Sequence, residues 1–376
     1  MSFTWDEIEV DWLMGSTLAA THDDVVESFN RVEQMLGRDW VLASRTGTGG
    51  TVSRGTSPTL HIVNTGQLLG SLEGIPGHER LVSQLRQNDR SGHAEAIAIH
   101  LLRSPQPGLE IELYPTVRVG RKQRQPDFRV RQAADEPWVY VEVTAPDASE
   151  EYKAAEAVLD RVAGWVHDLK RAFALEVFLR RMPSEAELES LADRIRAFCV
   201  QDGNHQEPIP GDLGLLLLNH SLPGHAVMAQ HPGEENCPRI SCMTSVQGPN
   251  EPQRHIVVRM AYSDQRAASF LRHEAQQLPI DSPGLIIAAM SGAPGGMRSW
   301  EPLLRRRLHP GQHTRVSAIC LFEGGHEPTP GGEAWVLRTK LLRNARAKMP
   351  LPDWTMNALQ SYPRPWHDIL ATRLSG

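Results

Sequence analysis

The segment WVYVEVT (138–144) constrains the fold more than any other stretch of this chain. Side chains of an extended strand alternate between two faces, so Val139, Val141 and Val143 make one apolar face and Trp138, Tyr140, Glu142 and Thr144 share the other. Just upstream, DFRVR (127–131) repeats the pattern, with Phe128 and Val130 apolar and Asp127, Arg129 and Arg131 opposite them. If the two strands pair as a symmetric hairpin around 132–137, Arg129 lies across from Tyr140, Asp127 across from Glu142, and Gln125 across from Thr144. Two directly opposed carboxylates repel and weaken a sheet, so something cationic must compensate. Arg129 or Lys122 could serve, or a divalent metal held by hard oxygen ligands. A Mg²⁺ between two carboxylates and a phosphate oxygen would activate water and neutralise charge developing on a phosphodiester.

The surrounding pattern predicts an α/β protein. Helical spacing covers 78–102, with a break near Asp89 to Gly92, and LEIELYPTV (109–117) is a third strand. Ser149 caps an expected helix carrying Ala155, Leu159, Val162 and Val166, and ALEVFLRR (174–181) is the next strand. A helix over 184–200 precedes DGNHQEPIPGD, which reads as a linker. Beyond it, LGLLLL, HIVVRMA, LIIAAMS, VSAICLF and AWVLR are strands separated by helices at 263–277 and 298–308, which predicts a second α/β region. At the other end, a helix from Thr21 to Leu36 precedes WVLASR and TLHIVN, read as a hairpin around a Gly-rich loop. That loop lacks the Gly-Lys-Ser/Thr ending of a phosphate cradle. The expected domains are an N-terminal helix and hairpin extension (1–76), a core (77–203) and a C-terminal α/β domain for substrate or partner recognition (204–376).

With 376 residues and 40% apolar content, the chain can bury a sizeable core. Four cysteines cannot frame so long a chain, and MSFTWDEIEVDW is acidic where a secretory signal is basic and then apolar, so a reducing cytoplasm is expected. The apolar runs fall far below the roughly 18 to 20 residues of a spanning helix, so no membrane segment is expected. The net charge of −6 conceals a local excess: Arg118, Arg121, Lys122, Arg124, Arg129 and Arg131 stand within fourteen residues that hold one acid, Asp127. Such a cluster permits nucleic-acid contact, with Arg121, Lys122, Arg124 and Arg129 as candidate binding residues, or serves as a solvated strand edge.

Pro126-Asp127, fourteen intervening residues, and Glu142-Val143-Thr144 together resemble the signature of the PD-(D/E)XK nuclease superfamily. That superfamily's restriction-endonuclease-like core runs αβββαβ, a mixed sheet flanked by helices, and the elements expected across 78–181 follow that order. The resemblance implies a Mg²⁺- or Mn²⁺-dependent nuclease that hydrolyses phosphodiester bonds, with DNA the default substrate. It makes Asp127 and Glu142 catalytic metal ligands, the Val143 carbonyl a further ligand, and Glu95, on the preceding helix, an accessory acid and ligand. By analogy a homodimer suits an enzyme that cuts both strands.

The motif's usual lysine is Thr144 here, and threonine can neither carry positive charge nor deprotonate water at neutral pH. Among five lysines, Lys153 on the following helix is the preferred replacement and Lys122 the other, with Gln125 as a group that could orient water. The alternative is a catalytically inactive member of the fold that binds nucleic acid or protein. His225, His231, Cys237 and Cys242 fall within eighteen residues and could hold zinc, although their spacing fits no familiar finger.

Overall fold

The computed structural model describes residues 22–45, 56–146, 149–220, 239–248, 251–261, 266–291, 293, 296–308, 312–329, 332–360 and 364–365. It is mixed α/β and divides into two compact units. One comprises the described residues of Met1–Pro146 and Arg266–Gly376, and the other those of Asp147–Gln265.

The first unit begins with α1 (His22–Leu36), α2 (Arg38–Arg45), α3 (Thr56–Leu72), α4 (Glu79–Arg86) and α5 (Arg90–Arg103). Strands β1 (Glu110–Leu113), β2 (Val117–Val119), β3 (Lys122–Arg124), β4 (Phe128–Arg131) and β5 (Val139–Thr144) follow. Its sheet runs β1-β4-β5 and then continues into β11 (Gly284–Ala289), β12 (Ala318–Thr329), β13 (Gly332–Arg343) and β14 (Arg364–Pro365). β1, β4 and β5 are antiparallel, whereas β5, β11 and β12 are parallel. Both faces are covered. Val139, Val141 and Val143 join Leu285, Ile287 and Phe322 beneath α1, α3, α4 and α5. Tyr140 joins Ile286, Ala288, Ile319 and Leu321 beneath α8 (Arg266–Ala275) and α9 (Gly296–Arg307). A strand buried on both sides is fixed by packing as well as by its ladder, which makes β5 a rigid base for a functional side chain.

The β4–β5 register is the one expected, with Phe128 opposite Val141, Arg129 opposite Tyr140 and Val130 opposite Val139. Asp89 caps α5 by accepting from Gly92 N, which accounts for the break in that helical stretch.

Three expectations need correction. WVLASR and TLHIVN lie in helices α2 and α3, so they are not the two strands of a hairpin. Ile62, Leu68, Leu69 and Leu72 are buried against α1, and a Cβ on Gly66 would sit 2.6 Å from Ser28 Cα, so the packing demands a close helix–helix approach. DGNHQEPIPGD is not a linker but contains strand β7 (His205–Ile209), paired with β8 (Gly214–Asn219). Finally, the core does not run from 77 to 203. β6 (Phe173–Leu179) belongs to the second unit, and β5 pairs in parallel with β11, more than a hundred residues on.

The second unit holds α6 (Glu150–Gly164), α7 (Glu185–Cys199) and a sheet of order β7-β8-β6-β10-β9. Strands β9 (Arg239–Gly248) and β10 (Glu251–Ala261) form an antiparallel pair, and β10 runs parallel to β6. Leu159, Val162, Phe173, Val177, Ile195 and Val258 fill its core. Inside it Arg259 and Glu176, both nearly inaccessible, form an ion pair at 2.9 Å. No helix among the described residues is long and apolar enough to cross a membrane.

Candidate active site

Four carboxyls converge in the first unit, each carried by a different element. Glu95 comes from α5, Asp127 from the residue before β4, Glu142 from β5 and Glu274 from α8. Glu142 shares the face of Tyr140 and Thr144, as strand alternation requires, and is 8% exposed. Asp127 is held beside it because its Oδ2 accepts from Val143 N at 2.6 Å, so Val143 enters the site through its amide. Glu274 approaches from above the sheet, from the helix turn that also buries Phe270, Leu271 and Ala275. It hydrogen-bonds the carboxyl of Glu142 and accepts from the Thr144 hydroxyl.

Burial raises the proton affinity of all four groups, and repulsion within the cluster adds to it at Asp127 and Glu142. Burial, then the charge of Glu95, pushes Asp127 up to about 7 against the opposing hydrogen bond from Val143. Burial, then Asp127 and Glu274, pushes Glu142 up to about 10. Glu95 and Glu274 are raised, again mainly by burial. Without a bound cation Glu142 therefore carries a proton, which it donates to Glu274. Glu142 Oε2 is buried and receives no hydrogen bond from a neighbouring N–H or hydroxyl group. A buried carboxyl oxygen left unsatisfied costs on the order of 1 to 3 kcal/mol.

Tyr114 ties the cluster together. Its backbone N–H donates to Asp127 O at 2.8 Å and its hydroxyl to Glu95 Oε2 at 2.9 Å. Its φ of +52° lies in the left-handed region, which costs a non-glycine residue roughly 1 to 3 kcal/mol and persists only where surrounding bonds enforce it. Arg80, on α4, stands over the Tyr114 ring, its Cζ 4.0 Å from the centroid.

Glu95, Asp127, Glu142, Val143 and Thr144 are thus brought together. The β4–β5 ladder ends at Phe128 and Val141, so Gln125 makes no ladder pair with Thr144; its Nε2 donates to Tyr114 O at 3.0 Å. Lys153 lies in the second unit, where its Nζ meets Glu150 at 2.7 Å on an exposed face. The helix that precedes the parallel neighbour of β5 is α8, and it delivers an acid rather than a lysine. Arg129 is spent within the sheet, paired with Glu112, bonded to the Tyr140 hydroxyl and lying over Trp138. Arg121, Lys122 and Arg124, with Arg118, sit on the two-stranded ribbon β2–β3, which follows Tyr114 and precedes Asp127 in the chain. His225, His231 and Cys237 lie outside the described residues, and Cys242 sits on β9. Glu274 and Arg80 were not anticipated. An acid within the apolar stripe Phe270, Leu271, Glu274, Ala275, Leu278 is the signal that marks Glu274.

The donor set suits a hard cation. Among the described residues no three His, Cys, Asp or Glu side chains are gathered closely enough to ligate one ion. Magnesium, however, commonly retains several waters and takes only one or two protein carboxylates, and the orphaned oxygen of Glu142 beside Asp127 meets that requirement.

No family model and no curated protein matches the chain. Among solved structures, the crystal structure of the central domain of yeast acetyl-CoA carboxylase aligns at 10% identity and a TM-score of 0.15, over 86% of this chain. The chain spans 60% of the length of that protein, and a likeness of this size carries no argument.

Proposed function

We propose that this chain is a Mg²⁺- or Mn²⁺-dependent nuclease that hydrolyses phosphodiester bonds in DNA, built on a restriction-endonuclease-like core. One observation carries the reading: the half-buried Asp127, just before β4, is held against β5 by the Val143 amide next to the buried Glu142, one of whose oxygens receives no hydrogen bond. The order α5-β1-β4-β5-α8-β11 supports it, being helix, three strands, helix and strand around the short β2–β3 ribbon, with the second unit inserted between β5 and α8.

Asp127 and Glu142 would hold the cation. When bound, it supplies a lowered pKa for an attacking water and neutralises charge on the phosphodiester. Glu274 and Glu95, the latter fixed by Tyr114, complete the acidic wall. A two-stranded ribbon such as β2–β3 can enter the major groove of a DNA duplex, where the exposed Arg118, Arg121 and Lys122 would meet phosphates. The chain's few cysteines fit a reducing cytoplasm. Thr144, bonded to Glu274 in the place of a lysine, favours a second reading: a member of the same fold that binds nucleic acid without cutting it.

Cleavage of supercoiled and linear DNA with Mg²⁺ or Mn²⁺ tests both. The nuclease reading requires cutting by the wild type and none by Asp127→Ala or Glu142→Ala. Binding without cutting selects the second reading, and unchanged cutting by Glu142→Ala removes this site.

A further inference from the structure

The geometry points to Arg80 as the phosphate-binding cation of this site, reaching the cleaved phosphodiester from its platform on the Tyr114 ring. This inference rests on the proposed phosphodiester chemistry, because the anion it names is that substrate.

The need for such a group follows from charge. Glu95, Asp127, Glu142 and Glu274 line the pocket, a divalent ion offsets at most two of their charges, and a phosphodiester brings a further negative charge among them. Polyanions avoid such a site unless a fixed cation stands where the phosphate arrives. The motif position that would hold one is Thr144, Lys153 pairs with Glu150 on an exposed face of the second unit, and Arg129 is spent on Glu112.

Arg80 meets the requirement. It is exposed, whereas Glu95 is 5% exposed, and the half-buried Tyr114 touches both residues. Its charge acts on Glu95 and on Asp127, opposing the upward push of burial on each carboxyl. It forms no ion pair among the described residues, while Glu95 Oε2 accepts from the Tyr114 hydroxyl. Stacking on a ring restrains the long side chain yet leaves the fork of N–H donors open, and that fork matches two phosphate oxygens. Arg31, Arg129 and Arg131 are each paired with carboxylates and have no such capacity left.

The test is single-turnover cleavage of a DNA duplex in Mn²⁺ by wild type, Arg80→Met, Arg80→Lys, Arg80→Gly and Glu142→Gln. Arg80→Met should lower the rate about 10²-fold, the scale of losing one transition-state donor, while changing Ca²⁺-supported duplex binding less than threefold. Arg80→Lys should recover part of the rate. Ethylguanidinium should restore cleavage to Arg80→Gly and leave Glu142→Gln dead, a response that a merely structural residue would not give. If Arg80→Met cuts within threefold of wild type while Glu142→Gln is dead, the Arg80 assignment is overturned and the nuclease reading stands. If the wild type itself does not cut, both are overturned.

Discussion

Glu142→Gln isolates the energetic cost of assembling the carboxyl cluster. Burial first, and then Asp127 and Glu274, holds the proton on Glu142 up to about pH 10, against 4.5 for the unperturbed group. At pH 7 the unfolded chain has lost that proton and the folded chain has kept it, so folding must take one up. Across roughly 2.5 pH units at about 1.36 kcal/mol each, that uptake costs about 3 kcal/mol. The sign follows from the raised folded value. The stability contribution is complete below pH 4.5 and declines as pH rises toward 10. Glutamine is the neutral isostere of protonated Glu142 and can still donate to Glu274, so the variant avoids the decline. In EDTA, urea denaturation should show the variant and the wild type about equal near pH 4.5. The variant should be more stable by about 3 kcal/mol at pH 7 and by more at pH 8. Saturating Mn²⁺ should narrow that gap by stabilising the wild type preferentially. A variant less stable than wild type at pH 8, or a difference independent of pH, would refute a protonated, buried Glu142.

Tyr114→Phe keeps the ring beneath Arg80 but removes the donor to Glu95, and it should cost about 1 to 2 kcal/mol by denaturant midpoint at pH 7; no change would mean that the 2.9 Å hydrogen bond contributes nothing. Lys153→Ala breaks an exposed pair and should alter stability by less than about 1 kcal/mol and cleavage not at all, whereas a tenfold loss of cutting would reinstate a displaced lysine. Replacing Arg118, Arg121, Lys122 and Arg124 together by Ser should weaken duplex binding and flatten its salt dependence by about 0.9 in log–log slope for each phosphate no longer neutralised; fluorescence anisotropy between low and moderate salt measures this, and an unchanged slope would remove the ribbon from the interface.

The strand pair was legible because its constraint is local. A short turn fixes which residues oppose each other, and a one-residue slip would bury Arg129 in place of Phe128 and Val130. Closure of the sheet was not legible. β6 and β11 are both apolar runs preceded by a helix, and both are buried on two faces, so either could be the parallel neighbour of β5. The choice depends on packing between residues far apart in sequence. In α3, the β-branched Ile62 and Val63 look strand-like over six residues; only the continuation through Gly66, Leu68, Leu69 and Leu72 discloses the helical stripe that packs on α1.

Asp127, Glu142 and Glu95 were visible as acids at fixed spacings, but Glu274 was not, because its helix follows the inserted second unit and not β5 directly. Its position changes the chemistry expected of residue 144. A lysine there would neutralise Glu142 and Glu274 with a permanent charge, and the cluster would remain ionised at neutral pH. Threonine gives one hydroxyl to Glu274 and no charge, so compensation falls to protons when no cation is present. A cation that displaces those protons must release them, and metal binding therefore tightens as pH rises until Glu142 ionises unaided. On this reasoning calorimetry of Mn²⁺ binding in buffers of different ionisation enthalpy should show proton release near pH 7, and a buffer-independent heat would mean that the carboxyls are already ionised.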